Sequence, residues 1–383
     1  MRTLREGDTG AIVELLQWGL ARAGQGIAAD GIFGALTVQA LQRWQEKNGL
    51  AADGIAGPGI WDSLRPYLNG QAVPRLSVVP ADIQWSSDLL AFVVEGLLLR
   101  YPFLELGVIG KSVLGRPLYR LRIGRGAVRV GYNAAHHANE WITTPVLLRF
   151  LEEYARGIAV GSGVGGADFR NLYENYTLDI VPMVNPDGVD LVTRALDPAS
   201  ASWLQARSIA VAFPDIPFPS GWKANIDGTD LNLSYPAGWE TAKRLKYAQG
   251  FNRPAPRDFV GPAPLSAPEA AAMAAYTKQA GYRLILAYHT QGKIIFWKYA
   301  GYNPAGSYAL ARRMAGVSGY SVETTPDFSG NAGYKDWFIQ EFNRPGYTIE
   351  AGEGVSPLPL GQFEEIYRDN FGILLLGMVG LDG

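Results

Sequence analysis

Two histidines and a glutamate carry the first chemical suggestion. His137 and Glu140 stand three positions apart in Ala134-Ala135-His136-His137-Ala138-Asn139-Glu140-Trp141, between an apolar run and a helical one. If the chain turns between them, an imidazole nitrogen and a carboxylate oxygen can close on one small dication. His289 ends a second apolar run, Leu284-Ile285-Leu286-Ala287-Tyr288, and a strand there could bring it to the same point. Two histidines with a glutamate are a ligand set that leaves zinc a fourth position for water. The chain has no cysteine, so any metal must be held by His, Asp and Glu. Alone the pattern is weak. A chain with 36 acidic residues produces a His-x-x-Glu match by chance fairly often, and His136 has the bland reading of a core histidine bonded to backbone.

The elements that must position these groups alternate in type. Val128 to Tyr132 is a strand leading into the His/Glu pair, with a helix from Pro145 to Ala155 after it. Tyr176 to Val184 is a buried strand followed by a turn at Asn185-Pro186-Asp187-Gly188. A polar, proline-rich excursion leads to a helix over Pro268 to Ala280, the His289 strand, a strand over Ile294 to Trp297, a helix over Ala305 to Ala315, the strand Tyr347 to Glu350 and a closing helix from Phe363. Before them come a helix over Leu89 to Leu99 and a hairpin of Leu106 to Gly110 with Leu118 to Ile123. This order predicts an α/β fold, a mixed and mainly parallel sheet with helices on both faces and ligands at the carboxyl ends of strands. His137, His289 and Glu350 each fall at or just past such an end.

The composition suits a packed chain of more than one domain: 383 residues, 48% hydrophobic and 18% charged, which excludes a disordered chain. A formal net charge of -2 gives no electrostatic reason to expect nucleic acid or an anionic membrane as partner. The N-terminus has no apolar core of signal-peptide length, and no run approaches the ~20 apolar residues of a membrane span. The expectation is a soluble chain, with its compartment left open by composition.

Ala28-Ala29-Asp30-Gly31-Ile32 returns as Ala51-Ala52-Asp53-Gly54-Ile55, each copy a turn before a helix. Helices over Ala11 to Ala23 and Leu36 to Lys47, and a shorter one opened by Pro58, make a small bundle over residues 1–68. Residues 69–82, with two prolines and no helical period, read as an extended connector to a large domain over 83–383. Through Leu4-Arg5-Glu6-Gly7-Asp8, Asp30-Gly31-Ile32-Phe33-Gly34, Gly49-Leu50 and Asp53-Gly54-Ile55-Ala56-Gly57-Pro58 the small bundle resembles the three-helix peptidoglycan-binding module attached to bacterial wall hydrolases. The competing reading is that these aspartates and glycines only build turns.

Along the large domain, His137-Ala138-Asn139-Glu140-Trp141, Asn185-Pro186-Asp187-Gly188, Asp230-Leu231-Asn232, Tyr288-His289-Thr290, Lys335-Asp336-Trp337 and Tyr347-Thr348-Ile349-Glu350 follow one another. Together they resemble the zinc carboxypeptidase (carboxypeptidase A-like) family. The resemblance implies one zinc per chain on His137, Glu140 and His289, with Glu350 as the carboxylate that takes a proton from the metal's water and passes it to the leaving amine. It implies Lys223, in Trp222-Lys223-Ala224-Asn225, as the donor to the oxyanion, where the family has an arginine. A solvated lysine and a solvated strand-end glutamate are the bland alternatives for these two.

Departures from the family pattern bear on substrate. Asp230-Leu231-Asn232-Leu233-Ser234 keeps Asn232 as a substrate-binding residue but has Leu233 where the family grips a terminal carboxylate with arginine. The capping tyrosine falls on Phe328, and the pocket-floor position on Lys335, suited to a side chain bearing a carboxylate unless the lysine snorkels to solvent. The details around Lys223, His289 and Glu350 look most like the branch of the family that cleaves gamma-D-glutamyl-diaminopimelate bonds, with Glu353 as a candidate contact for the substrate's side-chain amine. The expected partners are therefore peptidoglycan or muropeptide fragments containing meso-diaminopimelate. A carboxypeptidase releasing one C-terminal residue and a non-catalytic wall-binding protein are the alternatives.

Overall fold

The computed structural model describes residues 1–164, 167–326 and 330–380. It opens with helices α1 (Ala11–Arg22), α2 (Ala35–Lys47) and α3 (Pro58–Leu68). A glutamine from the preceding helix pins each repeated turn. Gln17 donates to Asp30 Oδ1 at 2.7 Å and Ile32 O at 3.0 Å and accepts from Gly31 N at 2.8 Å. Gln45 repeats the set with Asp53 Oδ1 at 2.7 Å, Ile55 O at 3.2 Å and Gly54 N at 2.9 Å. Gly31 and Gly54 have φ of 72° and 69°, the left-handed region that favours glycine. The repeated aspartates and glycines thus have a sufficient structural role as turn builders.

Segment 69–82 is not a free tether. Val78 and Val79 are buried, and Glu152 accepts from their amides at 2.8 and 3.0 Å and from the Ser77 hydroxyl. The three-helix bundle also touches the rest of the chain directly: Ala11 N donates to Thr193 O at 3.0 Å, and Gln84 N donates to Glu14 Oε2 at 3.2 Å. One apolar core runs from Leu16 and Leu64 of the bundle into Trp85, Leu89 and Val93 beyond it. Removing that shared apolar surface from water favours a docked bundle.

Helix α4 (Ser87–Arg100), capped by the Ser86 hydroxyl on Leu89 N, leads into an eight-stranded sheet. Its strands are β1 (Glu105–Lys111), β2 (Pro117–Ile123), β3 (Val128–Ala134), β4 (Tyr176–Val181), β5 (Leu284–His289), β6 (Ile294–Phe296), β7 (Ser321–Glu323) and β8 (Gly346–Glu350), in spatial order β1-β2-β4-β3-β5-β8-β6-β7. β4/β3, β3/β5, β5/β8 and β6/β7 pair in parallel and the other neighbours antiparallel, so the sheet is mixed and mainly parallel. Helices α5 (Thr143–Val160), α6 (Pro186–Val192), α7 (Pro268–Ala280), α8 (Ser307–Ser318), α9 (Tyr334–Phe342) and α10 (Phe363–Val379) cover it. The turn expected at Asn185-Pro186-Asp187-Gly188 is instead the first turn of α6. Asn185 Oδ1 caps Gly188 N at 3.0 Å and proline fills the first helical position, where its missing N–H costs nothing.

Alternation along the strands decides which groups face the site. Leu284, Leu286 and Tyr288 pack with residues of α5 and α10 in one core, whereas Ile285 and Ala287 pack with residues of α7 and α9 in a second. His289 therefore leaves the sheet on the α7/α9 face. Tyr347 and Ile349 join the first core, which sends Glu350 out on the same face as His289.

Candidate metal centre

Past β3 the chain takes a left-handed step at Ala135 (φ 52°) and then a single 3-10 turn over Ala138–Glu140, anchored by Ala138 N donating to Lys223 O at 3.0 Å. That turn puts His137 and Glu140 side by side, and β5 delivers His289 to them. His137 Nδ1 lies 2.9 Å from Glu140 Oε1, His289 Nδ1 lies 2.9 Å from Glu140 Oε2, and the two Nδ1 atoms are 3.2 Å apart. One ligand atom from each of the three residues falls within 4.8 Å of the others. Around a tetrahedral ion with bonds of about 2.0–2.2 Å, neighbouring donors stand roughly 3.3–3.5 Å apart. Small outward shifts of these groups therefore fit zinc.

The electrostatics also call for a cation there. Burial works against charge on His137, but Glu140 and Asp230 on either side outweigh it and push the imidazole up to about 9. Burial likewise opposes charge on Glu140, yet His137, Lys223 and His289 hold it well below the usual carboxylate range. The same acidic groups that favour charge on His137 would favour a dication beside it. Asp230 Oδ1 meets His137 Nε2 at 3.1 Å, which fixes the ring so that Nδ1 faces inward. Among the described residues, His137, Glu140 and His289 form the cluster that can hold one zinc ion.

Glu350 and Lys223 line the same cavity as His137. Burial raises the Glu350 carboxyl, with Glu140 adding and His289, Lys223 and His137 opposing. Lys223 Nζ donates to Glu140 Oε1 at 3.0 Å, and although burial works against its charge, Glu140 and Glu350 hold the ammonium above the ordinary lysine value. It is not a solvated lysine.

The cavity, about 240 Å³, is also lined by Lys335. Lys335 is 3% exposed, so it does not snorkel; its ammonium meets Asp336 Oδ1 at 2.6 Å, Lys298 O at 2.8 Å and Thr325 Oγ1 at 3.2 Å. Asn232 and Leu233 line the wall, and Asn232 Oδ1 accepts from Tyr334 N at 3.0 Å, tying the 3-10 turn Leu231–Leu233 to α9. His136 is buried, and its partner is the Tyr235 hydroxyl at 3.1 Å rather than the expected backbone.

The expectation for Phe328 lies outside the described residues. Glu353 is exposed and lines neither cavity beside the metal cluster, because Gly352 (φ 73°) turns the chain away after Ala351 N bonds to His289 O at 2.8 Å. Several cavity residues were not anticipated, Arg257 and Asp258 among them. Arg257 and Asp258 sit in the proline-rich excursion, where no period marks them, and Asp258 N donates to Asp230 Oδ2 at 3.0 Å behind His137.

Residues 93–372 match the family model described as zinc carboxypeptidase, and residues 9–64 match that of a peptidoglycan binding domain. Gamma-D-glutamyl-L-diamino acid endopeptidase 1 of Lysinibacillus sphaericus is 43% identical over 285 residues, covering 74% of this chain and 70% of its own. The uncharacterized protein YqgT of Bacillus subtilis (strain 168) is 39% identical over 276 residues, covering 72% of each. Among solved structures, thrombin activatable fibrinolysis inhibitor has a TM-score of 0.62 at 17% identity over 100% of this chain and 99% of its own, a likeness of fold alone. A matching family model over most of the large domain and a zinc-ready cluster inside it lead to one statement: the chain belongs to the zinc carboxypeptidase family.

Proposed function

We propose that this chain is an endopeptidase that hydrolyses the gamma-D-glutamyl to meso-diaminopimelate amide bond of bacterial wall peptides, with α1–α3 holding it on the polymer. The 43% identical relative named for that class of bond supports the reading. The observation that carries it is the Lys335–Asp336 pair, buried in the lining of the cavity that His137 and Glu350 also line. The far end of a diaminopimelate side chain bears a carboxylate and an amine. Lys335 complements the first, and Asp336, in place of Glu353, complements the second. Leu233, set on the cavity wall, offers no charge to a free terminal carboxylate.

When bound, zinc supplies Lewis acidity toward a carbonyl oxygen and toward water. Glu350 takes the proton of the attacking water and delivers it to the leaving amine, and its raised pKa suits both halves of that shuttle. Lys223 leaves Glu140 to meet negative charge as it grows on the former carbonyl oxygen. Asn232 orients the departing residue.

The test is digestion of the tetrapeptide L-Ala-gamma-D-Glu-meso-diaminopimelate-D-Ala, read by mass. Release of L-Ala-D-Glu and the diaminopimelate-D-Ala dipeptide is expected. Release of D-Ala alone means a carboxypeptidase instead.

A further inference from the structure

We infer that Arg257 is a specificity residue that grips the free alpha-carboxylate of the gamma-linked glutamate, on the acyl side of the scissile bond. This rests on the reading of the substrate given above. A gamma-glutamyl amide, by its chemistry, leaves the alpha-carboxyl of the same residue unlinked and charged, close to the carbonyl under attack. A site for such an acyl group needs a cation beside the oxyanion donor, on the side away from Lys335.

Arg257 lines one cavity together with Lys335 and a second cavity that Lys335 does not reach. Two cavities matter here: one is lined by His137 and Lys335, and the other, about 520 Å³, is lined by Asn139 and Thr290, the sequence neighbours of Glu140 and His289, with Asp215, Ser220, Gln291 and Ser356. Among the described residues, Lys223 and Arg257 alone line both. Since the diaminopimelate side chain occupies the first cavity, the glutamyl group extends into the second, and the bond between them passes these two cations. Lys223 is committed to the oxyanion, which leaves Arg257 for the carboxylate.

The local chemistry fits an anion. Arg257 Nε donates to Asp258 Oδ2 at 2.6 Å, while its two terminal nitrogens carry no hydrogen bond among the described residues and the side chain is 43% exposed. Asp258 also answers Lys246 Nζ at 2.6 Å, so one carboxylate faces two cations, while Asp215 lines the second cavity as its acidic residue. A planar guanidinium held at Nε presents its remaining N–H groups as a fork for a carboxylate. Its support is fixed as well. Asp258 holds a left-handed φ of 66°, a conformation that costs a non-glycine residue energy, and through its amide it anchors Asp230, which in turn orients His137.

The experiment compares two tetrapeptides that differ only at the glutamyl alpha-carbon, one bearing the carboxylate and the other the carboxamide, each cleaved by the zinc-loaded full chain. A preference of about 10-fold or more in kcat/KM for the acid is expected, because a hydrogen-bonded charge is lost in the amide. In Arg257→Gln that preference collapses to about unity, whereas in Lys335→Met it persists although cleavage slows. Equal cleavage of acid and amide by the wild type, an undiminished preference in Arg257→Gln, or its loss in Lys335→Met overturns the assignment and leaves the endopeptidase reading standing. If neither peptide is cut at the glutamyl bond, both fall together.

Discussion

Glu350 and His289 are register partners on adjacent parallel strands, β8 and β5, so their side chains leave the sheet on the same face at the same height. A metal ligand and the proposed proton carrier are thus fixed by backbone pairing rather than by loops. Glu350 does not belong to the His137, Glu140 and His289 cluster. Glu350→Gln is expected to keep zinc and lose turnover by about 100-fold or more. Elemental analysis beside kcat on the wall tetrapeptide checks both, and near-normal turnover removes Glu350 from the chemistry.

Lys223 touches Glu140, and under the proposed mechanism it meets an oxyanion during reaction, so its loss is expected to be a kinetic rather than a binding defect. Lys223→Met is expected to lower kcat by about 100- to 1,000-fold with little change in KM, and Lys223→Arg to recover most of it. Steady-state kinetics with zinc content separates the roles. Loss of zinc in Lys223→Met means the lysine chiefly supports Glu140.

Lys335 and Asp336 are both buried, and removal of one leaves the other charge without its partner. Lys335→Met is expected to destabilise the protein by about 3–5 kcal/mol, and the added change Asp336→Asn to restore much of that without restoring cleavage. Urea unfolding and kcat/KM, measured on the single and double variants, read the two effects separately.

Much of the centre was legible because its chemistry coincides with secondary-structure boundaries. His289 and Glu350 each end an apolar run, and alternation fixed their faces, while His137 follows just past the end of β3. Arg257 and Asp258 were not legible, for they lie in a proline-rich stretch and gain meaning only where the fold sets Asp258 behind Asp230. Glu353 misled because sequence proximity to Glu350 says nothing of the turn at Gly352. The docking of segment 69–82 depends on Glu152, distant in sequence, and no local pattern foretells it.

Where the bundle meets the rest of the chain, burial pushes the Glu14 carboxyl up to about 7, against the pull of the Gln84 amide and with Asp82 and Asp30 adding to the rise. Its folded pKa lies above the ordinary value of 4.5, so folding favours the protonated acid. That contribution is complete below the ordinary value and is lost as pH rises through about 7. Glu14→Gln is therefore expected to raise the unfolding midpoint by about 2 °C or more near pH 8 and hardly at all near pH 5. Scanning calorimetry at the two pH values decides, and an equal shift at both means Glu14 does not titrate in this range.

Zinc content bears most directly on the centre as a whole. Elemental analysis of the full chain, purified without chelators, is expected to give one equivalent of zinc per chain, and His289→Ala, prepared alongside it, to retain little. Less than half an equivalent in the wild type, or undiminished zinc in His289→Ala, contradicts the account.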